Sequence, residues 1–211
     1  MLADQGFLDL CSMRLEYRMI GPRPDEAPTI VMLHEGLGCV GLWNDFPDKL
    51  AAATGAGVFV FSRAGYGRSS PVSLPRPLTF MHDEAKEVLP RLLDAIGFRR
   101  GLLLGHSDGA SIATIYAGSV QDHRVRGLIL IAPHFFTEDM GIAEIARATD
   151  AYATTDLRAK LARWHADAAR PELGMERRVA VDQDMTGPRA DAGRASLGQR
   201  RMLVVTGHRS R

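Results

Sequence analysis

The chain has 211 residues, 45% of them apolar and 24% charged, which is the length of one domain with the balance of an ordinary globular core. Its formal net charge of +1 gives no reason to expect nucleic acid or an acidic membrane surface as a partner.

Leu15, Tyr17 and Met19 alternate with Arg14, Glu16 and Arg18, a pattern that predicts an antiparallel edge strand with one wet face. Gly21 to Asp25 is a turn, because Pro22 and Pro24 block a continued ladder. Ile30 to Leu33 is a continuous apolar run, as a central strand buried on both faces requires, and it ends in the loop His34-Glu35-Gly36-Leu37-Gly38. Trp43, Phe46, Leu50 and Ala53 then recur at helical spacing until Gly55 and Gly57. Val58 to Phe61 is another buried strand, followed by the loop Ser62 to Ser69 and a proline-rich link through Pro71, Pro75 and Pro77. From Met81, a helical stripe runs through Ala85, Val88, Leu89, Leu92, Leu93 and Ile96, with Pro90 predicted to kink it.

Leu102 to Leu104 form a short apolar strand, Gly105-His106-Ser107-Asp108-Gly109 fits G-x-S-x-G, and a run able to form a helix follows. Strand, sharp turn and helix are the setting of a nucleophile elbow, in which Ser107 stands exposed at the strand end. The peptide N–H of Asp108 points into the start of the helix, where it can bind a developing oxyanion. Leu128 to Ala132 is one more buried strand, ended by Pro133. Short apolar strands alternating with amphipathic helices imply an α/β fold with a mostly parallel sheet covered on both faces. Ligands of such sheets bind beyond the carboxyl ends of the strands, where His34, Ser62, Ser107 and Pro133 all lie.

L-H-E-G-L-G at 33–38, S-R-A-G-Y-G-R-S at 62–69 and G-H-S-D-G at 105–109, in that order and each after a strand, resemble the α/β-hydrolase fold superfamily over roughly residues 13 to 165. The second string is similar to that family's D-x-R-G-x-G-x-S loop, with Ser62 in place of the Asp. The resemblance makes Ser107 the nucleophile, His34 a structural histidine, and Gly36 the second oxyanion donor beside Asp108. Because Glu35 replaces the glycine of the usual H-G, Leu37 stays open as the donor instead, and Glu35 is expected to turn away as a hydrogen-bond acceptor. His106 is expected to pack under the elbow, while His82 and His134 offer no convincing base. In the family, residues of the 135–165 region form a small helical cap, and the acid and then the histidine of the triad follow the serine.

Those partners are hard to find here. Residues 166–211 hold nine basic and six acidic side chains, no lysine and no aromatic residue, against 17 basic and 19 acidic in residues 1–165. Three readings of this Arg-rich tail stay open. In one, Met202 to Val205 is a last strand, His208 is the general base, and Asp182, Asp184 or Asp191 is the acid. In another, a frameshift has truncated and replaced the C-terminal part, leaving the sheet incomplete on that side with an exposed edge. In the third, the tail is natural and binds a partner.

Cys11 and Cys39 are too few for a disulfide framework and lack metal spacing, so neither metal nor cofactor is expected. No run approaches a membrane span, and Met1 to Arg14 lacks the basic start and apolar core of a secretion signal, so a cytoplasmic location is expected. The expected activity is a serine hydrolase acting on a small carboxylic ester or related acyl substrate through a Ser107 acyl-enzyme. A proline iminopeptidase-like amidase, a C–C bond hydrolase and a catalytically incomplete fold are the rivals, with the oligomeric state left open. A dehalogenase is disfavoured, because it needs Asp where Ser107 stands.

Overall fold

A computed structural model describes residues 2–133, 146–147, 150–166 and 201–205. The strands are β1 (Gln5–Leu10), β2 (Met13–Ile20), β3 (Thr29–Leu33), β4 (Gly57–Phe61), β5 (Gly101–His106), β6 (Val125–Ile131) and β7 (Arg201–Val205). They form one sheet in the order β1-β2-β4-β3-β5-β6-β7. From β4 to β7 all neighbours run parallel, whereas β2 pairs antiparallel with both β1 and β4. The α/β architecture with a mostly parallel sheet is the one expected.

Period-two alternation divides the core between the two faces of the sheet. Val31, Leu33, Phe59, Phe61 and Leu103 face one side, where they meet Leu89, Leu92, Leu93, Ile112 and Tyr116. Ile30, Met32, Val58, Val60 and Leu104 face the other, against Ala51 of α1 (Phe46–Thr54). Every residue of β3 and β4 is buried, which is why both strands read as uninterrupted apolar runs.

Three expectations need correction. The strand over residues 14–19 is not an edge: β1 pairs outside it, and Glu16 is buried because the loop after β4 covers it and supplies its partners. The α1 stripe is rotated from the one predicted, since Pro47 and Ala51 face the core while Phe46 is 39% exposed. Pro90 does not kink a regular helix. It sits in the first turn of α3 (Leu89–Ala95), and the preceding turn, Glu84–Val88, is π-helical and joins α3 to α2 (Phe80–Asp83). Val88 and Leu89 stay in the right-handed helical region, so the helical run is continuous and the widened π turn before Pro90 accommodates its ring and missing N–H.

Arg201–Val205 of the tail pairs in register with β6 as the last strand among the described residues. Its Met202, Leu203, Val204 and Val205 are 40–58% exposed.

Candidate active site

The central strand β3 has β4 on one side and β5 on the other, so the chain reverses its direction of winding there. The carboxyl ends of β3, β4 and β5 meet at this switch point. Ser107 occupies the turn between β5 and α4 (Asp108–Ser119) with φ 52° and ψ −113°, a conformation strained for a residue bearing a Cβ. The surrounding structure fixes it. Its N–H donates to the Ile131 carbonyl of β6 (2.8 Å), and its carbonyl accepts the N–H groups of Ala110 (2.9 Å) and Ser111 (3.1 Å) in the first turn of α4.

The turn leaves no room for side chains on its glycines. A Cβ on Gly105 would lie 2.3 Å from the Gly109 carbonyl oxygen, and one on Gly109 would lie 2.1 Å from that of Leu33. These obstacles are backbone atoms of neighbouring elements and cannot swing away. Gly109→Ala is therefore expected to destabilise the protein by about 3 kcal/mol or more, or to displace α4 from β3, read as the urea midpoint of unfolding. An unchanged midpoint would mean that the helix is not held this close.

The loop after β3 is organised by His34, which is fully buried. The Arg63 N–H donates to its Nε2 (3.0 Å), so Nδ1 carries the proton and donates to the Glu35 carbonyl (2.6 Å). Burial, reinforced by the Arg63 charge, holds the His34 pKa well below the ordinary histidine value, so the ring is neutral. Both its nitrogens are committed.

The Arg63 side chain is also fully buried, and its Nη2 donates to the Glu35 carbonyl (3.0 Å). The same group lies 3.8 Å from the carboxylate of Asp108, itself fully buried, and the guanidinium faces the Tyr66 ring at 4.9 Å. Arg76, 3.7 Å from the buried Glu84, packs on the other edge of this cluster over Tyr66 and Phe80. Burial pushes the Glu84 pKa up against the pull of the two arginines.

Ser62 and Glu16 support the loop after β4. Ser62 Oγ donates to Glu16 Oε2 (3.0 Å) and accepts the Val40 N–H (2.9 Å). Glu16 accepts in addition the N–H of Arg68 (3.0 Å) and its Nε (2.7 Å). Ser62 thus belongs to the scaffold beneath the site rather than to its surface.

The Glu35 side chain lies against Gly38 and reaches His106, with Oε2 3.5 Å from Nδ1. Burial alone would raise its pKa, but the bond with His106 and its own backbone N–H outweigh that and lower it. His106 is not packed beneath the elbow as expected. Its side chain is 39% exposed and stands between Glu35 and Trp43, whose ring centroid is 6.3 Å away.

The segment after α5 (Leu157–Ala162) closes over these loops. Trp164 packs on Gly41, where a Cβ would sit 2.5 Å from its ring. His165 accepts the Gly67 N–H on Nδ1 (2.9 Å) and donates through Nε2 to the Leu37 carbonyl (3.2 Å), stitching the loop after β4 to the loop after β3. Its pKa is lowered by burial.

Of the residues singled out from the sequence, Ser107, Asp108 and Gly36 lie on neighbouring loops at the switch point. Asp182, Asp184, Asp191, His134 and His208 lie outside the described residues. Arg63, Glu16 and His165 were given no role by sequence reasoning. A charged residue amid apolar strands and glycines was the available signal for the first, and the aromatic pair Trp164-His165 for the last.

Residues 28–198 match the family model of the alpha/beta hydrolase fold. The chain belongs to the α/β-hydrolase fold family. Among curated relatives, (lyso)-N-acylphosphatidylethanolamine lipase of Homo sapiens is 34% identical over 117 residues, 56% of this chain and 33% of the relative. Proline iminopeptidase of Lactobacillus helveticus is 28% identical over 126 residues, 60% of this chain and 42% of the relative. The match therefore spans between a third and about two fifths of the length of these relatives. Among solved structures, a hydrolase from Pseudomonas aeruginosa PA01 superposes with a TM-score of 0.61 at 18% identity, covering 96% of this chain and 91% of that one. A putative lipase from Acinetobacter baumannii AYE gives 0.61 at 20% identity over 86% and 64% of the two chains. Among the described residues no helix is long and apolar enough to cross a membrane, and no His/Cys/Asp/Glu group could hold a metal ion.

Proposed function

We propose that this protein is a serine hydrolase acting on a small carboxylic ester or related acyl substrate through an acyl-enzyme on Ser107. The observation that carries the reading is the conformation of Ser107, a strained left-handed residue between β5 and α4 with backbone packed tight beneath it. Strain maintained by so many fixed contacts is the mark of a residue presented for chemistry.

In this reading Ser107 Oγ attacks the substrate carbonyl and its proton passes to a base. The tetrahedral oxyanion is held by the N–H groups of Asp108 and Gly36, with Leu37 the alternative to Gly36. Collapse expels the alcohol, which takes the proton back from the base. Water then hydrolyses the acyl-enzyme by the same route. His34 and His165 cannot serve as that base, because both ring nitrogens of each are engaged in the scaffold. By the chain order of the family the base follows Ser107, and His208 is the residue we carry for that role, with the acid among Asp182, Asp184 and Asp191.

The lipase among the relatives supports an ester and the iminopeptidase an amide. Steady-state turnover of p-nitrophenyl butyrate against an aminoacyl-naphthylamide separates them, with the ester expected to be the faster substrate. A faster naphthylamide would reassign the protein to the amidases. Turnover of neither would mark it as a catalytically incomplete member of the fold.

A further inference from the structure

The carbonyl and the N–H of the peptide joining Glu35 to Gly36 lie in one rigid plane and point in opposite directions within it. Whatever grips the carbonyl therefore aims the N–H. Three donors converge on the Glu35 oxygen: His34 Nδ1 at 2.6 Å, Arg63 Nη2 at 3.0 Å and the Gly38 N–H at 3.1 Å. One of the three is the Arg63 side chain itself; the Arg63 backbone N–H, which any substitution there keeps, fixes the tautomer in which His34 donates. The cationic donor is the strongest of the set and polarises the peptide, which makes the Gly36 N–H at its far end a better donor.

The same guanidinium faces the other half of the arrangement. Asp108, whose N–H opens α4, carries a fully buried carboxylate 3.8 Å from Arg63 Nη2. A lone buried anion beside a developing oxyanion would oppose the charge that forms there. Balanced by Arg63, its field is cancelled close to its source. One side chain thus spans from the loop after β3 to the first residue of α4.

We propose that Arg63 is a positioning residue for the oxyanion hole, aiming the Glu35–Gly36 peptide and neutralising Asp108 so that the N–H donors of both loops converge on one point. The inference rests on the assignment of Ser107, Gly36 and Asp108 made above. Arg63 touches no reacting atom; it acts through the two donors. Its loss should slow formation of the tetrahedral species and leave ground-state binding nearly intact.

The test uses the full chain and saturation kinetics of covalent labelling by a fluorophosphonate, whose adduct places an oxygen in the oxyanion hole. In Arg63→Met the limiting rate constant of labelling is expected to fall about 100-fold, as when one oxyanion donor is lost, while the half-saturating concentration changes by less than about threefold. Arg63→Lys, which keeps the charge but not the fork, is expected to recover part of the rate. The rate constant is read on the fraction that labels, so misfolded protein lowers the amplitude and not the rate. A limiting rate within about threefold of wild type in Arg63→Met would overturn the proposal. Backbone amide exchange on the same proteins needs no probe. It is expected to rise at residues 34–38 and 107–109 of Arg63→Met while Thr29–Leu33 stays protected, and an unchanged pattern would equally overturn it. A wild type that takes no label would sink the assignment of Ser107, and amide exchange would then decide the clamp alone.

Discussion

Ser107→Ala is expected to lower ester turnover by on the order of 10⁶, the scale of losing the nucleophile from a serine triad whose members act as a unit. The residual rate should be that of oxyanion and binding effects without acyl-enzyme formation, so the burst of released nitrophenol should vanish as well as the steady state. The fold should survive, because the Ser107 contacts that fix the turn are made by its backbone N–H and carbonyl. Melting within a few degrees of wild type, with turnover gone, is the expected pair of results. A variant that retains even about one-hundredth of the activity would place the nucleophile elsewhere.

Acidification is expected to unfold this protein earlier than its carboxylates alone would. His34 and His165 are both buried and neutral, with pKa values below that of an unfolded histidine. Between the folded and unfolded pKa values the unfolded chain binds more protons, so stability rises with pH in that window and is lost as pH falls below about 6.5. Each histidine contributes up to about 1.4 kcal/mol per pH unit, and the pair up to about 2.7 kcal/mol between pH 7.5 and 5.5. Urea midpoints at the two pH values measure the loss. His165→Asn, whose amide oxygen can still accept the Gly67 N–H, should reduce it to the share that His34 contributes. A midpoint that does not move over this range would show that the two rings are not held neutral. Protonation of His165 on Nδ1 would also break its bond to Gly67, so the α5 segment should detach from the loops before the sheet melts.

The sheet was legible because its central strands are built on uninterrupted apolar runs, and β3, β4 and β5 could be placed within a residue or two. The elbow was legible for a different reason: two glycines at fixed offsets are demanded by backbone atoms of neighbouring elements. Charged residues were the ones misread. Glu16 alternates with apolar neighbours as a solvent-facing residue would, yet it is covered by Ser62 and Arg68 from a loop far along the chain. Arg63 stands out only as a charge amid apolar strands and glycines, and its carbonyl and carboxylate partners come from the ends of two other strands. Helical spacing placed the α1 stripe one step off, since Trp43 belongs to the separate 3₁₀ turn Val40–Trp43 and does not share the phase of the helix. In the tail the apolar run Met202 to Val205 did mark a strand, β7 (Arg201–Val205). The acid and the base were not legible, for no strand-like run precedes any of the tail aspartates.

The central claim is that Ser107 is a nucleophile. Intact mass followed by peptide mapping after exposure to a fluorophosphonate tests it most directly. One adduct per chain, located on Ser107 and absent from Ser107→Ala, is the result predicted. A folded wild type that remains unmodified, or that carries the adduct on another residue, would contradict it.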